Sequence, residues 1–477
     1  MVKPTDLNNL DREDLIKLVT ELVNRINALE QQLADAQARI HELQEKNAVL
    51  ERAGQRQATP FARREKVAEP KKAGRHKGKG AFKRREAPAP EDIQVTKKAE
   101  LGGCPKCGGA LVDVKEHEQI EVDLPEVKPI ITRYVMLSGY CPECGKEHWF
   151  THPEQISKAV GAAGVVIGPR AKALAADLKH RLGASYAKVT EVVMDAFHLK
   201  VTRSAWCQAD QRLAEEGRPI YTGLIEALRA CSVVHSDETG WRIGPLSAWL
   251  WVFTQERLTV YTIESGRSHE VVLKILGKEF KGVLVSDCFL AYDHQALEEW
   301  LKQKCLSHLL KDLKALKEAK AKGAIRFAQQ VSALLQDALA LKARKETTSG
   351  EGYAQQAAAL EARLDALIAP KRRFSDGDNA RFARRLRKQR PHVLRFLYVD
   401  DLDATNNLAE RQLRPAVITR KTNGCNRAQR GAEAHAILAS LLATCRQQAV
   451  PILEYLVAMQ CFGKTPVDLT TGLAPPE

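Results

Sequence analysis

Two apolar segments that place an aspartate at the end of a strand constrain this chain more than any other feature. Residues 232–241 predict a buried strand that ends by presenting Asp237, and residues 282–287 repeat the pattern with Asp287. Two such strands can direct both carboxylates to one point. Like charges held close together stay ionised only at high cost unless a cation lies between them, so the pair predicts a divalent-metal site. Oxygen ligands favour Mg²⁺ or Mn²⁺ over zinc. Alternatively, each aspartate merely caps a loop or turn.

The segments around these aspartates predict a mixed sheet. Residues 248–253 and 258–263 have the pattern of two further strands in a meander, joined by a tight connection at 255–257. A helix over 268–276 then leads to the strand that ends at Asp287. Three antiparallel strands, a helix and a parallel strand that carries a second acid form the opening of an RNase H-like fold.

Charge and cysteine usage limit the class of partner and the compartment. The 477 residues, which suggest about three domains, have a formal net charge of +14, so nucleic acid is the natural partner. An anionic membrane is the weaker option, because no apolar run approaches the length of a membrane span and the N-terminus is too polar for a secretory signal. Of the 11 cysteines, four form two Cys-x-x-Cys pairs and the rest are scattered. This usage argues against a disulfide framework and favours the reducing cytoplasm.

A seven-residue repeat runs through the N-terminal region. Apolar residues recur at a and d positions from Leu15 to Leu50, the a positions are mostly β-branched, and Asn47 lies at an a position. This pattern predicts that residues 1–52 form a parallel two-stranded coiled coil, which makes the chain a homodimer or a higher oligomer. The alternative is an amphipathic helix packed on its own domain.

Residues 53–100 are rich in Arg, Lys, Ala, Pro and Gly and have no periodic apolar positions. Such a segment cannot bury enough apolar surface to offset its chain entropy, so we expect a flexible linker. It is either a basic arm that becomes ordered on DNA or a solvated spacer.

Two Cys-x-x-Cys turns, each followed by Gly, define the next segment, 101–153. Each turn directs two thiolates the same way, so two turns make a tetrahedral site for structural Zn²⁺ with Zn–S distances of about 2.3 Å. The predicted ligands are Cys104, Cys107, Cys141 and Cys144. Between them, residues 120–124 and 130–136 alternate as a β-hairpin would, which predicts a zinc ribbon. A redox role is the alternative, and His148 or His152 could replace a ligand or lie at the surface.

Helical spacing predicts a helical region at 154–230 that binds DNA. One helix covers 186–197, and Thr202 or Ser204 caps a second helix that runs through Trp206 and Leu213. This arrangement is compatible with a helix-turn-helix, in which a few polar side chains face a groove. Those side chains are Arg203, Gln208 and Gln211. Plain helical packing is the alternative.

The sequence beyond Asp287 predicts a helical insertion and a third carboxylate. Residues 309–395 have helical spacing, so they should interrupt the sheet domain between a first part at 231–308 and a second part at 396–460, before a tail at 461–477. In the second part, Thr405 or Asn406 can cap a short helix that Pro415 stops, with Leu408 and Leu413 as anchors. That helix leaves Glu410 free to face the two aspartates. Alternatively, Glu410 pairs with Arg414 at the surface.

Four motifs carry a resemblance to a known family. They are Asp-Glu-Thr-Gly-Trp from Asp237, Ser-Asp-x-x-x-x-Tyr from Ser286, Cys-x-x-His from Cys305, and Asn-Asn-x-Ala-Glu-Arg-x-Leu-Arg-Pro-x-x-x-x-Arg-Lys from Asn406. With the N-terminal heptads and the four cysteines, the chain resembles the insertion-sequence-66 family of bacterial transposases. It departs from that family at Gly240, where Pro is frequent, and at Thr405, where Asp is frequent.

The resemblance implies DNA transposition by an Asp-Asp-Glu triad that falls on Asp237, Asp287 and Glu410. It implies Mg²⁺ or Mn²⁺ at the triad, metal-dependent cleavage at the ends of the element, and transfer of the strand to target DNA. His308, at the Cys-x-x-His position, would help to place the phosphate or the water, or else belongs to the core. Small accessory proteins act beside members of the family.

Basic residues after Glu410 are candidates for binding DNA phosphates, or else form a solvated face. They are Arg411, Arg414, Arg420 and Lys421. The predicted fold class is therefore multidomain α+β, with a coiled coil, a zinc ribbon, a helical DNA-binding region and an RNase H-like α/β domain with a helical insertion. Two competing functions are a non-catalytic DNA-binding regulator and a nuclease that only hydrolyses.

Overall fold

The N-terminal heptads form one long helix. The computed structural model describes residues 11–54 and 86–471, and helix α1 spans Arg12–Gly54. Its apolar seam is exposed, Leu29 by 57% and Leu33 by 60%, so α1 does not bury this seam against the rest of the described chain. The side chains of Leu15 and of residues 41–54 lie outside the described part, as does the basic linker from 55 to 85.

The cysteine-containing segment has one hairpin, and it is not the hairpin that the sequence predicted. Strands β1, Leu137–Cys141, and β2, Lys146–Phe150, pair antiparallel on either side of the second Cys-x-x-Cys turn. Residues 120–124 and 130–136 form no strand, and Ile130 is 93% exposed. The prediction was wrong because alternation alone does not pair strands. The tight cysteine turn closes the hairpin locally at a lower entropic cost.

A helical region follows and agrees closely with the predicted helices. Helices α2, Pro169–Ala176, α3, Tyr186–Phe197, and α4, Arg203–Arg229, occur in order. The hydroxyl of Thr202 caps α4 by accepting from the amide of Ala205 at 3.3 Å. Val189 and Val193 of α3 pack with Trp206 of α4 in a small core. A short turn therefore joins α3 to α4, and Arg203 and Gln208 are exposed near the start of α4. A helix-turn-helix that binds DNA stays a prediction.

Five strands form the central sheet. They are β3, Val233–Ile243, β4, Leu246–Gln255, β5, Leu258–Glu264, β6, Val283–Ser286, and β7, Leu301–Lys304, with helix α5, His269–Leu276, between β5 and β6. The order is β5-β4-β3-β6-β7, in which β3, β4 and β5 are antiparallel and β6 and β7 run parallel to β3. The meander, helix and parallel strand predicted from the sequence are confirmed.

Alternate residues of the sheet face two different layers of helices. Trp251 and Phe253 of β4 pack in the core that α4, α5 and the C-terminal helices cover. Leu250 and Val252 point to the other face, where Leu413 packs. This period of two is the ordinary consequence of the strand pleat.

Beyond the sheet, helices are the main elements of the described chain. The helices are α6, Leu306–Ala319, α7, Arg326–Ala343, α8, Gly350–Ile368, α9, Gly377–Lys388, α10, Arg390–Val393, α11, Asn407–Asn423, α12, Gln429–Gln447, and α13, Ile452–Gln460. Helices α6 to α9 bury their apolar faces in a core of their own, which reaches the sheet at Val283 and Val285. In the described part of the chain, no helix is long and apolar enough to span a membrane.

Helix α11 is longer than predicted. Pro415 lies inside it instead of ending it, and Leu413, Ala409 and Ala416 are buried, whereas Leu408 is only half-buried. Proline removes one helical hydrogen bond but does not prevent a helix when tertiary packing holds both sides. The predicted stop at Pro415 was therefore wrong, and Leu408 is a weaker anchor than expected.

Candidate active site

Asp237 lies within a strand and not at its end. It is the fifth residue of β3 and stands opposite Val252 of β4 in the register. The pairing of β3 with β6 stops at His235, and β3 then continues as a ribbon with β4 alone. The prediction of a strand end was wrong for this reason, although Asp237 does occupy the point where the parallel part of the sheet ends.

Asp287 follows directly after β6, as predicted. Its Oδ1 accepts from the amide of Phe289 at 2.9 Å, and Nζ of Lys304 donates to its backbone carbonyl at 3.1 Å. Because β3 and β6 are parallel neighbours, Asp237 and Asp287 lie at the same edge of the sheet. Burial, the charge of Glu238 and the charge of Asp287 raise the pKa of Asp237 to about 7.

Glu410 lies in the first turn of α11, with its Oε1 3.8 Å from Nδ1 of His308 in the first turn of α6. A hydrogen bond with Cys305 and the charges of Glu410 and Asp287 raise the pKa of His308 to about 9. The ligand atoms of Cys305, His308 and Glu410 all lie within 4.8 Å of one another. Glu410 therefore contacts His308. The ion pairs of the described residues do not include one between Glu410 and Arg414, which was the alternative suggested by the sequence.

Electrostatic effects connect the three carboxylates. Asp287 and His308 both act electrostatically on Asp237, and Glu410 and Asp287 both act on His308. Among the described residues, the oxygens of Asp237, Asp287 and Glu410 are not all within 4.8 Å of one another. The carboxylate oxygens of these three residues are hard donors, which fit Mg²⁺ or Mn²⁺. The charge of such an ion would relieve the repulsion between the carboxylates.

A buried ion pair next to Asp237 was missed by the sequence analysis. Glu238 faces the other side of β3, where Arg267 donates to its Oε1 at 3.0 and 2.7 Å and the hydroxyl of Tyr292 donates to its Oε2 at 2.7 Å. The guanidinium of Arg267 lies over the rings of Trp249 and Phe289, 4.3 and 3.7 Å from their centres. A carboxylate in a buried strand requires a partner that neutralises it or donates hydrogen bonds to it. From this requirement, the sequence could have predicted that Glu238 has a partner.

Two further polar residues hold the site together. The amide of Asn406 donates to the carbonyl of Ser236 at 2.8 Å, and its backbone N–H donates to Sγ of Cys305 at 3.1 Å. Asn406 therefore joins β3, α6 and α11, where the sequence suggested only a helix cap. Fully buried Lys304 pairs with Asp293 at 2.9 Å while it holds the carbonyl of Asp287.

The predicted DNA-contacting residues lie in different surroundings. Arg411 and Arg414 are exposed on α11, and Lys421 is exposed near its end. Arg420 is half-buried and donates from Nη1 to the carbonyl of Gly240 at 2.6 Å. A Cβ at Gly240 would stand 3.3 Å from that nitrogen, which explains why a residue without a side chain suits this position.

The two cysteine turns have the backbone of metal-binding knuckles. The N–H of Gly108 donates to the carbonyl of Cys104 at 2.8 Å, and that of Gly145 donates to Cys141 at 2.9 Å. Both glycines have positive φ, 74° and 64°, a conformation that glycine adopts without strain. Hydrogen bonds from the turns lower the pKa values of Cys104 and Cys141, which favours the thiolates that bind metal.

The four cysteine sulfur atoms do not form a closed metal-binding cluster in this structure. No three of the four sulfur atoms lie within 4.8 Å of one another in the described chain. Sγ of Cys144 lies 3.2 Å from Nε2 of His148, while the ring of His152 lies 5.4 Å from that of Tyr134, centre to centre, and is tilted by 34°. The donor chemistry of each pair fits Zn²⁺, and His148 stands beside the second pair.

Comparison with known proteins gives two family matches. The model described as "Transposase IS66 family" matches residues 164–434, which is more than half of the chain. The model described as "zinc-finger binding domain of transposase IS66" matches residues 102–145. No curated protein matches the chain.

These matches and the mixed helical and sheet fold define a transposase that carries a zinc-finger domain. The chain belongs to the IS66 family of transposases. The larger match contains Asp237, Asp287, His308 and Glu410, and the smaller one contains all four cysteines of the two turns.

Proposed function

We propose that this protein is the DNA transposase of an insertion sequence and that it cuts and joins DNA through Asp237, Asp287 and Glu410. The observation that supports this most is the convergence of three elements. Parallel β3 and β6 bring two aspartates to one sheet edge, and the first turn of α11 brings Glu410 to His308 there. The strand order β5-β4-β3-β6-β7, followed by helices α6 to α9, supports the RNase H-like domain with a helical insertion that we propose. We also propose the domain limits predicted from the sequence.

The mechanism assigns a role to each of these side chains. Asp237, Asp287 and Glu410 would hold Mg²⁺ or Mn²⁺, which when bound supplies an activated water and neutralises charge at the phosphate. His308, protonated between two acids, donates a hydrogen bond to a phosphate oxygen and so orients the scissile bond. Asn406 and Lys304 keep the three segments that carry the acids in register.

The remaining modules would bring DNA and protomers together. We propose that Cys104, Cys107, Cys141 and Cys144 bind one structural Zn²⁺, which would draw the two turns together. Helix α1 would pair with a second copy as a coiled coil, which suits a reaction that must hold two element ends. The DNA partners would be the terminal repeats of the element and the target DNA. Membership of the family also suggests small accessory proteins as partners and association with the nucleoid.

The test is metal-dependent joining of a labelled, precut DNA end to a plasmid, with the end taken from DNA that flanks the coding region. Asp237→Ala and Glu410→Gln should each reduce joining roughly a thousandfold with Mg²⁺ because a metal ligand is lost. Ca²⁺ in place of Mg²⁺ should not support joining. Glu351→Gln is the matched control, since Glu351 is also an acid in the first turn of a helix and is exposed.

Two outcomes would contradict the proposal. Cutting without joining would leave a nuclease that only hydrolyses. DNA binding without cutting or joining, with accessory proteins supplied, would favour the DNA-binding regulator.

A further inference from the structure

Helix α9 presents a strongly basic surface that the proposed function does not use. Phe382, Ala383 and Leu386 bury one face of α9 in the core of the helical insertion, so its cations must occupy the other faces. These cations are Arg381, Arg384, Arg385, Arg387 and Lys388. Asp378 is the one acid within the helix.

Internal ion pairs neutralise only part of this charge. Arg381 pairs with Asp378 at 2.6 Å, and Arg385 pairs with Asp312 at 2.7 Å. Among the residues that the structure describes, Arg384 has no carboxylate within ion-pair distance and is exposed. The side chain of Lys388 is 58% exposed and forms a long ion pair of 3.8 Å with Asp293, which also pairs with Lys304. The cations of α9 therefore outnumber the carboxylates that pair with them.

The basic face lies beside the candidate active site. Asp312, the partner of Arg385, is on α6 one turn after His308. The charge of Arg385 also acts on the thiol of Cys288, the residue that follows Asp287. Helix α9 therefore lies, at Arg385, next to the chain segments that carry the proposed catalytic groups.

Further cations extend the positive region past the end of α9. Burial and the charges of Lys302, Lys304 and Arg395 lower the pKa of His392 to about 4. Nδ1 of His392 and Nε of Arg385, Arg387 and Arg395 are buried nitrogens that have no hydrogen-bond partner in the described chain. The positive region therefore extends from α9 to the segment that carries His392 and Arg395.

We infer that α9 binds the sugar–phosphate backbone of a DNA duplex next to the active site, with Arg384 and Lys388 contacting phosphates. This inference rests on the proposed function for the identity of the duplex as substrate. The binding is independent of base sequence, because cations on an exposed helix face contact phosphates and not bases. Its free energy comes from the release of counterions from the DNA.

The experiment measures the affinity of the full-length protein for a fluorescent duplex from the flanking DNA at several salt concentrations. Arg384→Gln combined with Lys388→Gln should weaken binding roughly tenfold and reduce the slope of log affinity against log salt by about 2. A duplex of shuffled sequence should show the same loss. The matched control is Arg344→Gln with Arg363→Gln, which removes the same charge from α8 and the end of α7 in the same insertion.

A charge-retaining variant separates charge from folding. Arg384→Lys with Lys388→Arg should bind with the wild-type slope. The inference is overturned if the Gln variant binds like the control, or if the charge-retaining variant loses as much affinity as the Gln variant.

The design also separates this inference from the proposed function. Loss of binding only in the α9 Gln variant supports the inference even if the wild-type protein joins no DNA. Normal joining by the wild type together with unchanged binding by the α9 Gln variant refutes the inference and leaves the proposed function intact.

Discussion

Arg267 neutralises an acid that stands next to a proposed metal ligand. Glu238 is 1% exposed, and its charge acts on Asp237, the neighbouring residue in β3. Arg267 provides two hydrogen bonds to Glu238, and its guanidinium lies over two aromatic rings, so several contacts fix its position. At the scale of single residues, this ion pair allows two acids to occupy adjacent positions of one strand.

We expect Arg267→Met to destabilise the protein by roughly 2 kcal/mol, because it leaves Glu238 buried without its cation. The value is below that of a fully buried pair, since Arg267 is 36% exposed. Urea unfolding followed by tryptophan fluorescence measures the change. Adding Glu238→Gln should recover part of the loss, and a double variant no more stable than Arg267→Met would contradict this account.

At the scale of elements, α11 depends on the sheet to continue past a proline. Pro415 has no N–H, so the carbonyl of Arg411 lacks its helical partner. One turn of the helix at this point is held from outside, because the hydroxyl of Tyr261 on β5 donates to the carbonyl of Gln412 at 2.7 Å. The same turn begins next to Glu410, so the support of the proline also steadies a proposed metal ligand.

Tyr261→Phe should therefore cost about 1 kcal/mol of stability and reduce DNA joining severalfold, because it removes that support from α11. Tyr221→Phe is the matched control, since the hydroxyl of Tyr221 also donates to a backbone carbonyl, that of Tyr261, at 2.7 Å, but from α4. Stability comes from urea unfolding and joining from the plasmid assay. Equal losses of joining in both variants would show that Tyr261 acts only through general stability.

At the scale of the whole molecule, apolar pattern and motif predicted most of the architecture but little of its polar support. β-Branched runs gave β3 to β6, and the cap at Thr202 gave α4. Strand β7 was missed because its sequence, Leu-Lys-Gln-Lys, is polar. Its buried polar side chains pair with groups outside the strand. Lys304 forms an ion pair with Asp293, and Gln303 donates a hydrogen bond to the carbonyl of Val393. Such pairs cannot be read from local pattern.

The same limit applies to the candidate site. Motifs indicated Asp237, Asp287, His308 and Glu410, and the fold brings these residues to one region. The residues that support them, Glu238 with Arg267 and Asn406 with Cys305, act through contacts between segments that only the fold brings together.

The exposed seam of α1 leads to a prediction about assembly. Leu22 and Leu29 lie at d positions and are 51% and 57% exposed, an arrangement that a second helix would bury. Leu22→Lys with Leu29→Lys should therefore convert a dimer to a monomer, because two charges on each chain would stand inside the seam. Sedimentation equilibrium measures the mass, and the plasmid assay measures joining of paired ends.

The control adds the same charges on the opposite side of α1. Asn24 and Gln31 are exposed and lie outside the a and d positions, so Asn24→Lys with Gln31→Lys should leave the dimer unchanged. If the seam variant becomes monomeric, binds a single DNA end and no longer joins paired ends, α1 supplies the contact between protomers. A wild-type protein that is already monomeric, or a seam variant that keeps the dimer, would mean that assembly depends on another surface.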